Sequence, residues 1–256
     1  MKAKNLYRCL LALALAGPFV VSAAVEPFIK TNSISANAEG GKQQLPTDDE
    51  RDVKDFNGVA AGGPIQVRIS IGSTEGIRFE GDADAIATLI TEVKGHVLII
   101  RPQSSWSSWS RKYRGKKITA YVSAKTIQSL TMSGSGSMRV DGKISGRSLA
   151  TTLSGSGSIT SEAAVDEFTG VISGSGNLNI SGSAQKADIV LSGSGAFTRK
   201  GFTVDRLSST VSGSGSVNIT ANDHLEAVIS GSGSVNYSGN AHVEKRIVGS
   251  GSVRKI

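Results

Sequence analysis

The sequence predicts an all-β protein, a β-helix or β-solenoid with coils of about 18–21 residues. Three observations carry this expectation. A glycine-serine block recurs at a nearly constant interval, apolar residues of one parity flank every block, and a second apolar register recurs at a fixed distance ahead of each block after the first. A disordered linker has no reason to keep such a period.

The chain opens with MKAKNLYRCLLALALAGPFVVSAAVEP, in which Lys2, Lys4 and Arg8 precede an apolar run from Cys9 to Val21 and the small residues Ser22, Ala23 and Ala24. That pattern reads as a secretory signal peptide over residues 1–24 and predicts export to the periplasm or cell surface. The run is short and broken by Pro18, so no transmembrane segment is expected in the mature chain. Cys9 is the only cysteine, so a mature chain has no disulfide and must be held by burial and backbone hydrogen bonds. Without the three basic residues of the leader, the formal charge of +7 falls to 25 basic against 21 acidic residues. No nucleic-acid-binding motif accompanies that excess. Residues 25–50 are polar, lack a sustained period, and read as a mobile leader.

Residues 51–132 form the β-rich N-terminal part. FNGVAAGGPIQVRISIG, EGIRFEG and HVLIIRP alternate as strands do, while DADAIATLITEVKG suggests one short helix near residues 83–94. Residues 101–117, RPQSSWSSWSRKYRGKK, interrupt this pattern with both tryptophans and six cations. On an exposed loop, Trp106, Trp109 and Tyr113 would stack on sugars or meet a membrane surface, while Arg111, Lys112 and Arg114 met anionic groups. The structural alternative is a β-hairpin tip whose tryptophans cover one end of the solenoid.

From residue 133 to 256 the repeat dominates. Its blocks begin at Ser133, Ser154, Ser173, Ser192, Ser212, Ser230 and Val248, at intervals of 21, 19, 19, 20, 18 and 18 residues. Side chains alternate across a strand, so parity assigns faces. Leu153, Gly155, Gly157 and Ile159 share one face, and every other block repeats the order apolar, Gly, Gly, apolar. Two geometries would require the glycines: close approach of opposite walls, which parity favours, or a positive φ at a corner. The middle serines, Ser135, Ser156, Ser175, Ser194, Ser214, Ser232 and Ser250, then align into an outward row. Such a row is either a ligand face or a line of small residues tolerated on a tight surface. Four residues ahead of the opening apolar residue of each block after the first stand Leu149, Phe168, Ala187, Leu207, Leu225 and Val243. Five ahead stand Ser148, Glu167, Lys186, Arg206, His224 and His242.

Little in the repeats signals chemistry. His224 and His242 fall in successive coils, but two histidines are a weak metal site because zinc ordinarily takes three or four protein ligands. No metal or other cofactor is therefore expected. Acidic residues are scattered, and GSGSG lacks the strand-to-helix elbow of a nucleophilic serine and the following Lys of a phosphate loop.

RDVKDFNGVAAGGPIQVRISIG, DADAIATLITEVKGHVLIIRP, KKITAYVSAKTIQSLTMSGSGS and the repeated SGSGS blocks together resemble the autotransporter adhesin head domain family, also called the GIN head domain. The resemblance covers Arg51 to the C-terminus. It implies a bacterial exported domain of unknown function with a right-handed β-helix, and it assigns no catalytic residue. Relatives often close the glycine-serine run with Asp, where this chain has Ser137, Ser158, Asn177, Ala196, Ser216, Ser234 and Ser252. That departure argues against cation binding by the row. Only three residues follow Val253, so no translocator barrel is expected within this chain. The resulting expectation is a non-catalytic envelope or surface module that meets a glycan, an anionic lipid, another surface protein or a second copy of itself. The alternative is a polysaccharide-active enzyme on the same scaffold.

Overall fold

The structure, a computed structural model, describes residues 49–197 and 201–256. The expected signal peptide and nearly all of the expected leader lie outside the described residues. In chain order the elements are β1 (Asp49–Arg51), β2 (Gly58–Gly62), β3 (Gln66–Ile71), β4 (Gly76–Gly81), α1 (Ala83–Ile86), β5 (Leu89–Lys94), β6 (Val97–Pro102) and α2 (Trp106–Lys112). There follow β7 (Ile118–Ala124), β8 (Ser129–Gly134), β9 (Ser137–Gly155), β10 (Ser158–Gly174), β11 (Asn177–Gly193), β12 (Ala196–Phe197), β13 (Phe202–Gly213), β14 (Ser216–Gly231), β15 (Ser234–Ser238), β16 (His242–Val248) and β17 (Ser252–Lys255). These strands join in one sheet wound as a β-solenoid of about seven turns.

The repeats stack in parallel and in the register their spacing dictates. Leu149, Phe168, Ala187, Leu207, Leu225 and Val243 pair in succession, as do Ser148, Glu167, Lys186, Arg206, His224 and His242. The first column is buried as far as Leu225. Phe168 stands beside the small Ala187 in that column, and its ring lies 5.8 Å and 5.1 Å from those of Phe197 and Phe202. Alternation of large and small side chains along the stack lets these aromatics interdigitate.

The glycine-serine block is a corner, which corrects the preference for close approach of opposite walls. Strands end at the first glycine and resume after the second. Gly134, Gly155, Gly174, Gly193, Gly213, Gly231 and Gly249 have φ between +109° and +119°, which L residues with a Cβ rarely adopt. Parity counting assumes a straight strand, and from Gly134 to Gly233 the bend places the first glycine of each block partly exposed while the second is buried. A Cβ on Gly174 would lie 2.5 Å from the carbonyl oxygen of Gly155 in the preceding coil. That same carbonyl accepts hydrogen bonds from the amides of Ser175 at 3.0 Å and Gly176 at 2.9 Å. A Cβ on Gly176 would press on the Gly157 carbonyl at 2.6 Å and on Leu153 Cδ2 at 2.7 Å. Both glycines thus answer to the coil stacked against them.

Stacking order and chain order part at the N-terminal end. β2 and β3 lie between two coils: Ala61 pairs with Ile100 and Met132, and Val67 with Ala120 and Met138. In this coil Gly62-Gly63-Pro64-Ile65-Gln66 occupies the place of a glycine-serine block, since Gly62 pairs with Ser133 and Gln66 with Ser137. The outer edges of the end coil are covered by antiparallel strands, β4 on β7 and β5 on β6, and β1 pairs in turn with β4. Asp49 and Glu50, expected in the leader, therefore belong to the folded unit.

The short helix expected near residues 83–94 is confined to α1. Asp82 caps it by accepting from the Ala85 amide, and the Thr88 hydroxyl donates to the Ala85 carbonyl at its end. Ile90, Thr91 and Val93 favour the strand that follows, where Val93 pairs with Leu98.

Replacing Gly174 by Ala is expected to lower unfolding stability by about 2–4 kcal/mol in urea melts, because positive-φ strain and a backbone clash act together. Ser175→Ala, one residue away on the exposed row, is expected to change it by less than about 0.5 kcal/mol.

Candidate functional site

Residues 101–117 form a helical corner rather than a hairpin tip. Ser105 adopts an extended conformation and its side chain accepts from the Ser108 amide at 3.4 Å, which starts α2. Trp106, Trp109 and Tyr113 then fall at i, i+3 and i+7, one face of a helix. That spacing, preceded by an N-cap serine, was the available sequence signal. Arg111 and Lys112 in the last turn suit the negative end of the helix dipole.

The aromatic face turns toward the protein. Trp109 is 2% exposed, its Nε1 donates to Thr88 Oγ1 at 2.9 Å, and its ring meets Trp106 at 5.6 Å and Tyr113 at 5.3 Å. Trp106 is partly buried over Gly62 and Gly63, where a Cβ on either glycine would strike its indole. Gly63 has φ +70°, and the tryptophan covers this glycine corner because the coil stacked on that side, β6 to β7, carries α2 where a glycine corner would be. Tyr113 is partly buried and donates from its hydroxyl to the Asp84 carbonyl at 3.2 Å. The tryptophans act here as a cap, with Trp109 buried and Trp106 partly buried over the corner.

The cations remain outside. Lys116 pairs with Asp82 at 2.7 Å and Arg101 with Glu92 at 2.9 Å. Arg111, Lys112, Arg114 and Lys117 are exposed and have no carboxylate partner among the described residues; Lys112 lies 5.1 Å from the centre of the Tyr113 ring. Asp82 is held below the ordinary aspartate range, first by the hydrogen bond from Lys116 and then by the Ala85 amide, against opposing desolvation. One ion pair thus ties the basic corner to the cap of α1.

The other sequence candidates lie elsewhere. Ser135, Ser156, Ser175, Ser194, Ser214, Ser232 and Ser250 are all exposed at the glycine corners. The N-terminal end of this row borders a groove of about 310 Å³ lined by Gln66, Ser137, Ser158 and Asn177 among others. His224 and His242 stack with ring centres 6.1 Å apart. Arg206 precedes them in the column and is paired with Asp223, and among the described residues no third ligand joins them. Glu167 and Lys186 are rung neighbours as expected, while Lys186 also pairs with Asp188 at 3.0 Å.

A larger groove of about 530 Å³, missed by sequence reasoning, lies on the side of the first coils, with Arg139, Asp141, Glu162 and Asn179 on its walls. It sits at a register shift between Thr160 and Glu162, a local irregularity that no composition signal marks. Asp141 accepts from Arg139 at 2.9 Å, and Glu162 stands opposite Lys143 in the rung. Asp141 is thus ion-paired with Arg139, and Glu162 has a lysine as its rung neighbour.

Because the Asp82 carboxyl is depressed in the folded state, its contribution is present above the unfolded aspartate value, about pH 4, and is lost as pH falls through the folded value. D82N keeps a competent cap but removes the ion pair. Its thermal stability is expected to fall less with pH below about pH 4 than that of the parent, as followed by circular dichroism.

Known proteins share this architecture. An adhesin structure described as putative from Bacteroides fragilis matches with a TM-score of 0.72 at 19% identity, covering 84% of this chain and 98% of that one. A putative adhesin from Parabacteroides distasonis matches at 0.64 and 24% identity, and a "putative lipid binding protein" from the same organism at 0.65 and 21%. Both comparisons cover 84% of this chain and 98% of the other. At these identities the likeness is one of fold. No curated protein matches the sequence. The family described as "Putative auto-transporter adhesin, head GIN domain" matches residues 55–241, most of the chain, and to that family the chain belongs.

Proposed function

We propose that this protein is an exported, non-catalytic module that binds anionic groups at the cell envelope or cell surface, and that α2 with its flanks is the contact surface. The observation that carries this reading is the placement of Arg111, Lys112, Arg114 and Lys117 on the outside of a rigid corner, none with a carboxylate partner among the described residues. A set of like charges anchored by buried Trp109 presents a fixed positive field at one end of the solenoid. Membership of an adhesin head family agrees with a surface-binding role, and one relative of the same fold carries a lipid-binding description. The tryptophans face inward, so contact is electrostatic and superficial, without ring insertion. The polysaccharide-active alternative gains no support from the side groove, where Asp141 is held by Arg139.

Each basic residue near an anionic surface contributes about 1 kcal/mol at moderate salt. R111S/R114S/K117S is therefore expected to bind phosphatidylglycerol vesicles or a sulfated polysaccharide on the order of 100-fold more weakly than the parent in sedimentation assays, with unchanged circular dichroism. Parent binding should itself fade as salt rises. Failure of the parent to bind either probe, or equal binding by the triple variant, would contradict the proposal.

A further inference from the structure

The two ends of the solenoid are finished differently. At one end β4 and β5 cover the outer strands and Trp106 covers the corner. At the other, among the described residues, β16 pairs only with β14 and β17 only with β15. Leu225, Ile229 and Val235 are fully buried, but their partners one coil further on, Val243, Ile247 and Val253, are only partly so. An unpaired strand edge over an unfinished core is a template for another chain.

The edge comes close to fitting a second copy of itself. In an antiparallel pairing of β16 with the same strand of another molecule, centred on residue 245, Glu244 would face Arg246 and Val243 would face Ile247. One residue spoils the fit. Thr151, Gly170, Ile189, Ser209 and Ala227 pair in succession as a buried inward column, and the last coil continues it with Lys245 opposite Ala227. Lys245 is exposed and no partner for it appears among the described residues. The inward parity of β16 holds Val243, Lys245 and Ile247, with no acid. Every antiparallel register that keeps the apolar face inward therefore sets the Lys245 ammonium against an apolar side chain or against its own copy. Burying a charge without a counter-charge is strongly unfavourable.

We propose that Lys245 is an end guard: a single inward charge that keeps an otherwise self-complementary β16 edge from pairing with a second copy of the chain. The function of α2 is not involved, and the two readings fail independently. Light scattering after size exclusion tests it. The parent and K245E are each expected to run as monomers, because like charges meet at the centre of the pair. K245V is expected to show a mass rising with concentration toward the dimer. An equimolar mixture of parent and K245E is expected to form a heterodimer, since ammonium and carboxylate then face each other with Glu244 and Arg246 also matched. A dimeric parent, a folded K245V that stays monomeric, or a mixture that stays monomeric would overturn the proposal.

Discussion

The interaction on which the rest of the structure depends is the carbonyl of the first glycine in a corner, which accepts amides of the next coil: two at Gly134, Gly155 and Gly174, and one at Gly193 and Gly213. Gly155 accepts from Ser175 and Gly176, Gly174 from Ser194 and Gly195, and Gly134 from Ser156 and Gly157. The ladder of the sheet is therefore not interrupted where the chain bends. The carbonyl reaches that position because its own residue takes a positive φ, and the next coil's glycine approaches it because neither carries a Cβ. A side chain at either place would separate the coils, and the apolar columns ahead of and behind the corner would lose their register. Ordinarily glycine weakens a strand. Here it provides the one bend that lets successive coils superimpose.

From that corner the functional geometry follows. Coils that superimpose at every turn expose their serines as a row and bury their leucines, isoleucines and valines as columns. A stack of identical units leaves an open face at each end, and the chain treats the two faces unequally. At the N-terminal side the turn that would have been another glycine corner is expanded into α2, which lays Trp106 on Gly62 and Gly63 and turns a row of cations outward. Capping and presentation of charge are thus one element: the aromatic stripe holds the helix down, and the opposite side is left to arginine and lysine. At the C-terminal side the finish is a lysine on an inward register.

Much of this was legible in the sequence, because a parallel solenoid converts period directly into neighbours. Counting residues ahead of each block placed Leu149 beside Phe168 and Ser148 beside Glu167, and both pairs are rung partners. The bend was not legible from parity, since alternation carries no information about a residue whose φ changes sign. The corner at Gly62 and Gly63 was hidden because Pro64 and Ile65 stand where the blocks have serine and glycine. The stacking of β6 and β7 on the far side of β2 and β3 was hidden as well, because a period read along the chain assumes that chain neighbours are stack neighbours. For α2, the basic and aromatic composition drew attention to the right residues, but only the i, i+3, i+7 spacing told which of them face in. The register shift behind the side groove is a matter of one residue, below what composition or period resolves.

The central claim is that the glycine-serine blocks are hydrogen-bonded corners, as ordered as the strands they join. Amide hydrogen exchange resolved at single residues tests this most directly, at Ser156, Gly157, Ser175, Gly176, Ser194 and Gly195. The account requires protection of these amides comparable to that of Leu153, Ile172 and Leu191 in the adjoining strands. Exchange at the rate of an unstructured chain, with the strands still protected, would show that the blocks are flexible joints and contradict it.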